Sequence, residues 1–231
     1  MKLVCIAAMI AAASASTAMA DFQVIDIDAH RNGGRDNSLL GNGANMPIGD
    51  QVFAGVPFDM GGGPSLSDPW AYYAHVDAGS GAGTVVEAFD INVFGVTNVF
   101  SLMSTFWGQA GPNAYISVTF NGSAGASASF LLVGNVDIRD YNFNPSYTTI
   151  INGTTTVEVF NNGQGQHVDR QQFALPAAFA SQTLTQMIVT DTGGPNFQRM
   201  FMTGLTVETI PAPAGLALLG MGLTAAARRR R

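Results

Sequence analysis

Between Asp21 and Ile210 the chain has no lysine and no cysteine. Its single Cys5 and Lys2 both lie near the start, and only five arginines (31, 35, 139, 170 and 199) oppose sixteen acidic residues in that stretch, a net charge of 5 − 16 = −11. Without a thiol the body excludes disulfide staples, thiol nucleophiles and thiolate metal sites, so its fold rests on an apolar core. A surface so poor in cations repels phosphate backbones, which argues against nucleic acid as a partner. Long segments of helical period are also lacking away from the two ends.

Catalytic signatures are equally sparse. The nearest approach to a nucleophile elbow, Asn121-Gly122-Ser123-Ala124-Gly125, has Asn where G-x-S-x-G needs its first glycine. It falls at an apparent hairpin turn rather than between a strand and a helix. His30, His75 and His167 are far apart and show no H-E-x-x-H or H-x-H spacing, so no zinc set is legible. Hydrolysis of a glycoside needs two carboxylates across a cleft. Glu87, Asp90, Asp137, Asp140 and Glu158 are the candidates, and Glu87 and Asp90 fall on opposite faces of one strand. Asp26-Ile27-Asp28 alternates acids without completing a calcium-binding loop. The carboxylates and carbonyls of residues 21–77 nevertheless leave room for a calcium ion, which takes oxygen ligands. The sequence implies no other metal or cofactor, and the expectation is a protein that is not an enzyme.

What is present divides the chain into three. A positive start (Met1-Lys2), an apolar run from Leu3 to Ala13 and the small-residue end Ala18-Met19-Ala20 describe a secretory signal peptide over 1–20, with cleavage after Ala20 leaving Asp21 first. Cys5 is too early for lipoprotein attachment. Residues 21–209 read as one all-β domain, an antiparallel β-sandwich or jelly roll with long loops. Strands are expected at 22–28, 51–58, 85–94, 98–106, 114–120, 126–133, 149–160, 184–190 and 201–207, each rich in Val, Ile, Thr or Phe and bounded by Gly, Asn, Asp or Pro. A short helical turn is expected at 175–180. The Gly-, Asn- and Pro-rich stretch 29–70 reads as loops over the sandwich, where recognition residues often sit.

Loop aromatics beside polar groups suggest a sugar site, because pyranose rings stack on aromatic faces and bond to neighbouring polar side chains. The candidates are Trp70, Tyr72, Tyr73, Trp107, Arg139, Asp140 and Tyr141. The competing reading is that these rings close the core at strand ends. The features Leu102 to Gly108, Val118 to Gly125, Leu132 to Tyr141 and Arg170 to Pro176 are similar to galactose-binding-like jelly-roll modules. That resemblance implies a sandwich, and sugar binding in some cases.

The last 22 residues read IPAPAGLALLGMGLTAAARRRR. The apolar run 214–227 would make about 21 Å of helix, short of the ~30 Å hydrocarbon layer, and Arg228, Arg229, Arg230 and Arg231 would stay on the cytoplasmic side. A proline box (Pro211-Ala212-Pro213), a short apolar helix and an arginine cluster together resemble the PEP-CTERM sorting signal of exported proteins in Gram-negative bacteria, which usually has glutamate at the middle of the box. The resemblance implies membrane insertion through the tail, processing by an exosortase-type protease after passage through the secretion machinery, and delivery to the cell surface or extracellular polysaccharide matrix. The function expected is a non-enzymatic matrix protein associated with polysaccharide. The alternatives are a secreted hydrolase of that polysaccharide, with Asp137 and Asp140 or Glu158 as its acids, and a purely structural protein.

Overall fold

The computed structural model describes residues 21–38, 40, 43–74, 83–193 and 198–210. They belong to a compact unit spanning Asp21–Ile210. Ala18 and Ala20, expected at a signal cleavage site, Pro211 to Pro213 and Arg228 to Arg231, expected to form a sorting motif, and His75 and Asp77 lie outside the described residues.

Among the described residues twelve strands carry the unit: β1 Asp21–Val24, β2 Asp50–Phe53, β3 Val56–Asp59, β4 Tyr72–Tyr73, β5 Val85–Phe94, β6 Val96–Phe106, β7 Ala114–Gly122, β8 Ser127–Val133, β9 Thr156–Asn161, β10 His167–Ala174, β11 Thr183–Asp191 and β12 Arg199–Thr209. Helical structure among the described residues is confined to 3-10 turns of three to five residues, including Ala177–Ser181 in the place expected for a short turn. The class is all-β and every strand pairing is antiparallel. One sheet has the order β1-β12-β6-β10-β9, with β4 also on β12, and the second has β5-β11-β7-β8.

The pattern of burial along each strand shows which layer it occupies. In β5, β7 and β11, alternate residues are buried, so one face meets the core and the other meets water. Phe89, Ile91, Val118, Phe120, Met187 and Val189 point inward from the second sheet. They meet Val99, Met103, Phe173, Met202, Leu205 and Val207 of the first in one core. By contrast β6 and β12 are buried almost throughout, because the far face of the first sheet is covered as well. There Phe100, Leu102, Phe106 and Phe201 pack against Leu40, Met46, Phe53, Phe58, Met60, Trp70 and Tyr73. The stretch 29–74 is therefore a third layer with its own hydrophobic core, built around the β2–β3 hairpin, rather than loops resting on a finished sandwich.

Two glycines make that layer fit. The hairpin turns at Ala54-Gly55, both at positive φ (49° and 80°), the backbone a tight two-residue turn requires. Gly204 in β12 lies where an added Cβ would come 3.1 Å from Phe58 Cδ1, so the hairpin seats close against the sheet.

Arg31 holds the layer down. Its buried guanidinium donates to the carbonyl oxygens of Met60 (2.9 Å), Trp70 (2.6 Å), Thr203 (2.9 Å) and Asp59 (3.0 Å), and its Nε to Asp28 (2.7 Å). Five acceptors, at Asp28, Asp59, Met60, Trp70 and Thr203, thus tie four stretches of chain to one side chain.

Candidate functional site

Sequence reasoning marked seven residues for sugar contact, and the structure separates them into three environments. Trp70 and Tyr73 are in the second core. Trp70 is fully buried, its indole N–H donates to the Pro47 carbonyl (2.9 Å) and its ring lies 5.9 Å from that of Phe201. Tyr73 stacks near Phe106 and donates its hydroxyl to the Gly34 carbonyl (2.9 Å). Tyr72 is buried in the first core, edge-on to Phe89 at 5.5 Å. Burial pushes both phenols well above the ordinary tyrosine range. None of these three rings offers a face to a ligand, which corrects the expectation for Trp70, Tyr72 and Tyr73. Trp70 lies in a loop as expected, whereas Tyr72 and Tyr73 form β4 against β12, and all three rings are packed in the cores.

Arg139, Asp140 and Tyr141 occupy a fork in the first sheet. β6 and β10 pair only between residues 98–102 and 170–174. Beyond that they diverge, and the Gln171 side chain bridges the gap, donating to the Met103 carbonyl and accepting from its N–H, both at 2.9 Å. Residues 139–142 then wedge between the strands, with Thr105 N–H bonded to the Arg139 carbonyl, Tyr141 N–H to Thr105, and His167 N–H to Tyr141. From this wedge Arg139 reaches the fully buried Asp169 through two bonds of 2.7 Å and the half-exposed Glu158 at 2.6 Å. His167 Nδ1 meets the same Glu158 oxygen at 2.9 Å.

The fork's titrations follow from this geometry. Burial alone would lower Arg139, but its two carboxylate partners hold it above the ordinary guanidinium range. Burial opposes ionisation of Glu158, yet bonds from Arg139 and Asn161 keep it below the usual carboxylate range. His167 is pushed down by burial and by the Arg139 charge. Asp140 is pushed up to about 6 by burial, against N–H bonds from Asn142 (2.9 Å) and Gly108 (3.2 Å). Arg139 is thus a buried structural cation rather than an open ligand-binding fork.

Trp107, Asp140 and Tyr141 do share one concavity, a pit of about 130 Å³ completed by Asn142, Asn144 and Tyr147. Its volume is well under the ~300–1,000 Å³ of typical small-molecule sites. Trp107 is the one candidate ring left half-exposed.

The carboxylates suggested for hydrolysis are engaged internally. Asp137 accepts from Val133 N–H (3.1 Å) and Asn152 Nδ2 (3.2 Å), Asp140 is buried, and Arg139 sits on Glu158. Glu87 and Asp90 diverge across β5, Glu87 accepting from or sharing a proton with His30 at 2.6 Å. Among the described residues no three His, Asp or Glu side chains converge as a metal site. At the candidate calcium loop, Asp28 and Asp59 both face the Arg31 guanidinium instead.

Two surfaces remain that the sequence did not mark. One is a groove of about 480 Å³ at the open side between the sheets, with Phe130, Leu132 and Phe173 at its base and Asp137, Thr154, Thr155 and Gln172 around it. The other is the outer face of the second sheet. Strand register sets its residues in three rows across β5, β11, β7 and β8: Val86, Thr190, Ser117, Leu131; Ala88, Ile188, Thr119, Ser129; Asp90, Gln186, Asn121, Ser127. Seven of these twelve carry a hydroxyl or carboxamide and one, Asp90, carries a charge. Thr119 and Ser129 bond across the strands at 2.8 Å, as do Ser127 and Asn121 at 3.2 Å.

The rest of the surface is acidic. Of the body's five arginines, four are buried and Arg170 is half-buried with its guanidinium 5.1 Å from the Phe100 ring centre, so none stands free to offset the acids. No known family model matches the chain, and no curated protein sequence matches it either.

Proposed function

We propose that this chain is an exported, non-enzymatic protein of the cell surface or extracellular matrix that lies against neutral polysaccharide through the outer face of its second sheet. The observation that carries this reading is that face: seven of its twelve aligned residues offer a hydroxyl or carboxamide and one carries a charge, on a body of net −11. Hydroxyl and amide groups donate and accept alike, as sugar hydroxyls do, whereas the acidic surroundings repel uronate or phosphate polymers. Two facing antiparallel sheets are compatible with a sandwich of the jelly-roll kind and with the likeness to galactose-binding-like modules.

The location rests on the sequence at both ends: a signal peptide over 1–20 and, at 210–231, a tail resembling an exosortase-processed sorting signal. Before processing, the tail would tether the precursor in the inner membrane with the body outside. Intact mass of the protein recovered from its host tests this, since loss of both ends is expected and an unshortened C-terminus would refute processing.

Affinity electrophoresis of the full chain in gels containing neutral or acidic polysaccharide tests the binding reading. Retardation is expected by a neutral polymer and not by a uronate polymer. Free migration in every gel, including one cast with the host's own polysaccharide, would refute it.

A further inference from the structure

We infer that β8 is an unguarded sheet edge that pairs with β8 of a second copy, joining the two second sheets into one. Sheet edges expose a row of N–H and C=O groups, and proteins usually guard them with charges, prolines, bulges or shortness. Of the four end strands of the two large sheets, three are guarded. β1 has four residues and begins on Asp21, β9 carries Glu158, and β5 carries Glu87 and Asp90 and is interrupted at Asn92, whose φ is +56°. β8 reads SASFLLV over seven residues with none of these devices.

Strand geometry says which groups are open. The hairpin bond from Gly122 N–H to the Ala126 carbonyl points Ala126 toward β7, so by antiparallel alternation Ala128, Phe130 and Leu132 also bond to β7. The N–H and C=O of Ser127, Ser129 and Leu131 then face outward, while Val133 is already capped by the turn at Val136 and Asp137. Leu131 is 65% exposed at this edge.

A second copy suits this edge because the strand is complementary to itself. In antiparallel pairing on a twofold axis at Ser129, that residue faces its own equivalent and Ser127 faces Leu131, in both directions. On the inner face Phe130 falls opposite Ala128, a large ring against a methyl, above the groove that Phe130 and Leu132 line. Charge favours this approach over others: two bodies of net −11 repel, and β8 lets them meet with no acid on either strand. Association therefore tightens as salt screens the remaining repulsion.

The absence of cysteine from the body provides a register-specific test. In the full chain with Cys5→Ser, Ser129→Cys is expected to give a disulfide-linked dimer under mild oxidation. Residues facing each other in a bonded pair have Cα atoms about 5.5 Å apart, within disulfide reach. Ser181→Cys, exposed at the end of a 3-10 turn, is the control and is expected to cross-link slowly. Without added cysteines, sedimentation velocity should show a concentration- and salt-dependent dimer. Leu131→Lys points a charge outward at the edge and should weaken it by roughly tenfold or more. Equal cross-linking at 129 and 181, or a dimer indifferent to Leu131→Lys, overturns the proposal, as does a monomer at every concentration and salt. None of these readouts involves polysaccharide, so they fail or succeed independently of the binding face.

Discussion

Replacing Arg139 by methionine tests whether the fork is structural. The substitution keeps most of the stem's volume and removes the guanidinium that gives Asp169 two bonds of 2.7 Å and Glu158 one of 2.6 Å. Glu158 is 38% exposed and turns to water at little cost, whereas the Asp169 side chain has no exposure at all. Stranding a buried carboxylate in this way costs about 3–5 kcal/mol. For a domain of this size, 1 kcal/mol moves the melting temperature by about 2–4 °C, so a fall of roughly 6–20 °C is expected at neutral pH. The loss has a pH signature. Left alone, Asp169 has a folded-state pKa raised above its unfolded value, so its burial is tolerated at low pH and becomes destabilising as pH rises through that value. The melting deficit of Arg139→Met should therefore shrink on acidification. Adding Asp169→Leu should restore most of the stability, since an apolar replacement of a buried ion pair is often neutral. A loss below about 1 kcal/mol, the range of exposed ion pairs, would show that the pair contributes little. A loss unchanged by pH and unrelieved by Asp169→Leu would also refute the reasoning.

Three further predictions follow from the packing. Trp70→Ala removes a fully buried ring and orphans the Pro47 carbonyl, so urea denaturation should show a loss of about 3–5 kcal/mol. Asp140 is pushed from an ordinary 3.8 to about 6, a raised carboxylate, so its contribution is present at low pH and is lost as pH rises through 6. Compared with Asp140→Asn, the wild type should therefore lose about 2 kcal/mol between pH 4 and pH 6.5 in denaturant titrations. Ala54→Asn places at the first turn position a residue that tolerates φ +49°, and calorimetry should show a gain of about 0.5 kcal/mol or more.

The second sheet was legible because each of its strands buries one face. Alternation in Val85 to Phe94 located β5 at its observed bounds, and the expected segments near β7, β8 and β11 agree within a few residues. β10 was missed. His167-Val168-Asp169-Arg170-Gln171-Gln172 shows no apolar alternation, because its inward positions at that end hold the polar fork rather than core. The expected strand at 149–160 shortened to Thr156–Asn161 for a related reason: Asn152 organises the preceding residues into a turn, bonding Thr154 N–H and Thr156 N–H.

The third layer was the larger surprise. A Gly-, Asn- and Pro-rich stretch carries the local signature of loops, and nothing local reveals that Phe58, Met60, Trp70 and Tyr73 converge. The signal was in its partners. Val99 to Phe106 and Met200 to Val207 carry no charge, alternate too little for a strand with a wet face and are buried throughout, as strands covered on both faces are, and some other part of the chain had to supply the second cover. The candidate sugar aromatics were that cover. The polar sheet face, by contrast, emerges only when register aligns Ser, Thr, Asn and Gln from β11, β7 and β8.

Affinity electrophoresis of three proteins side by side in a neutral polysaccharide gel tests the central claim most directly: wild type, Thr119→Asp with Thr190→Asp, and Trp70→Phe. The acidic pair adds two charges to the middle of the outer face, on β7 and β11, without touching the core, whereas Trp70→Phe alters only a buried ring. The account predicts that the acidic pair runs freely while Trp70→Phe is retarded as strongly as wild type. Retention of binding by the acidic pair, with loss in Trp70→Phe while its melting stays cooperative, would contradict it.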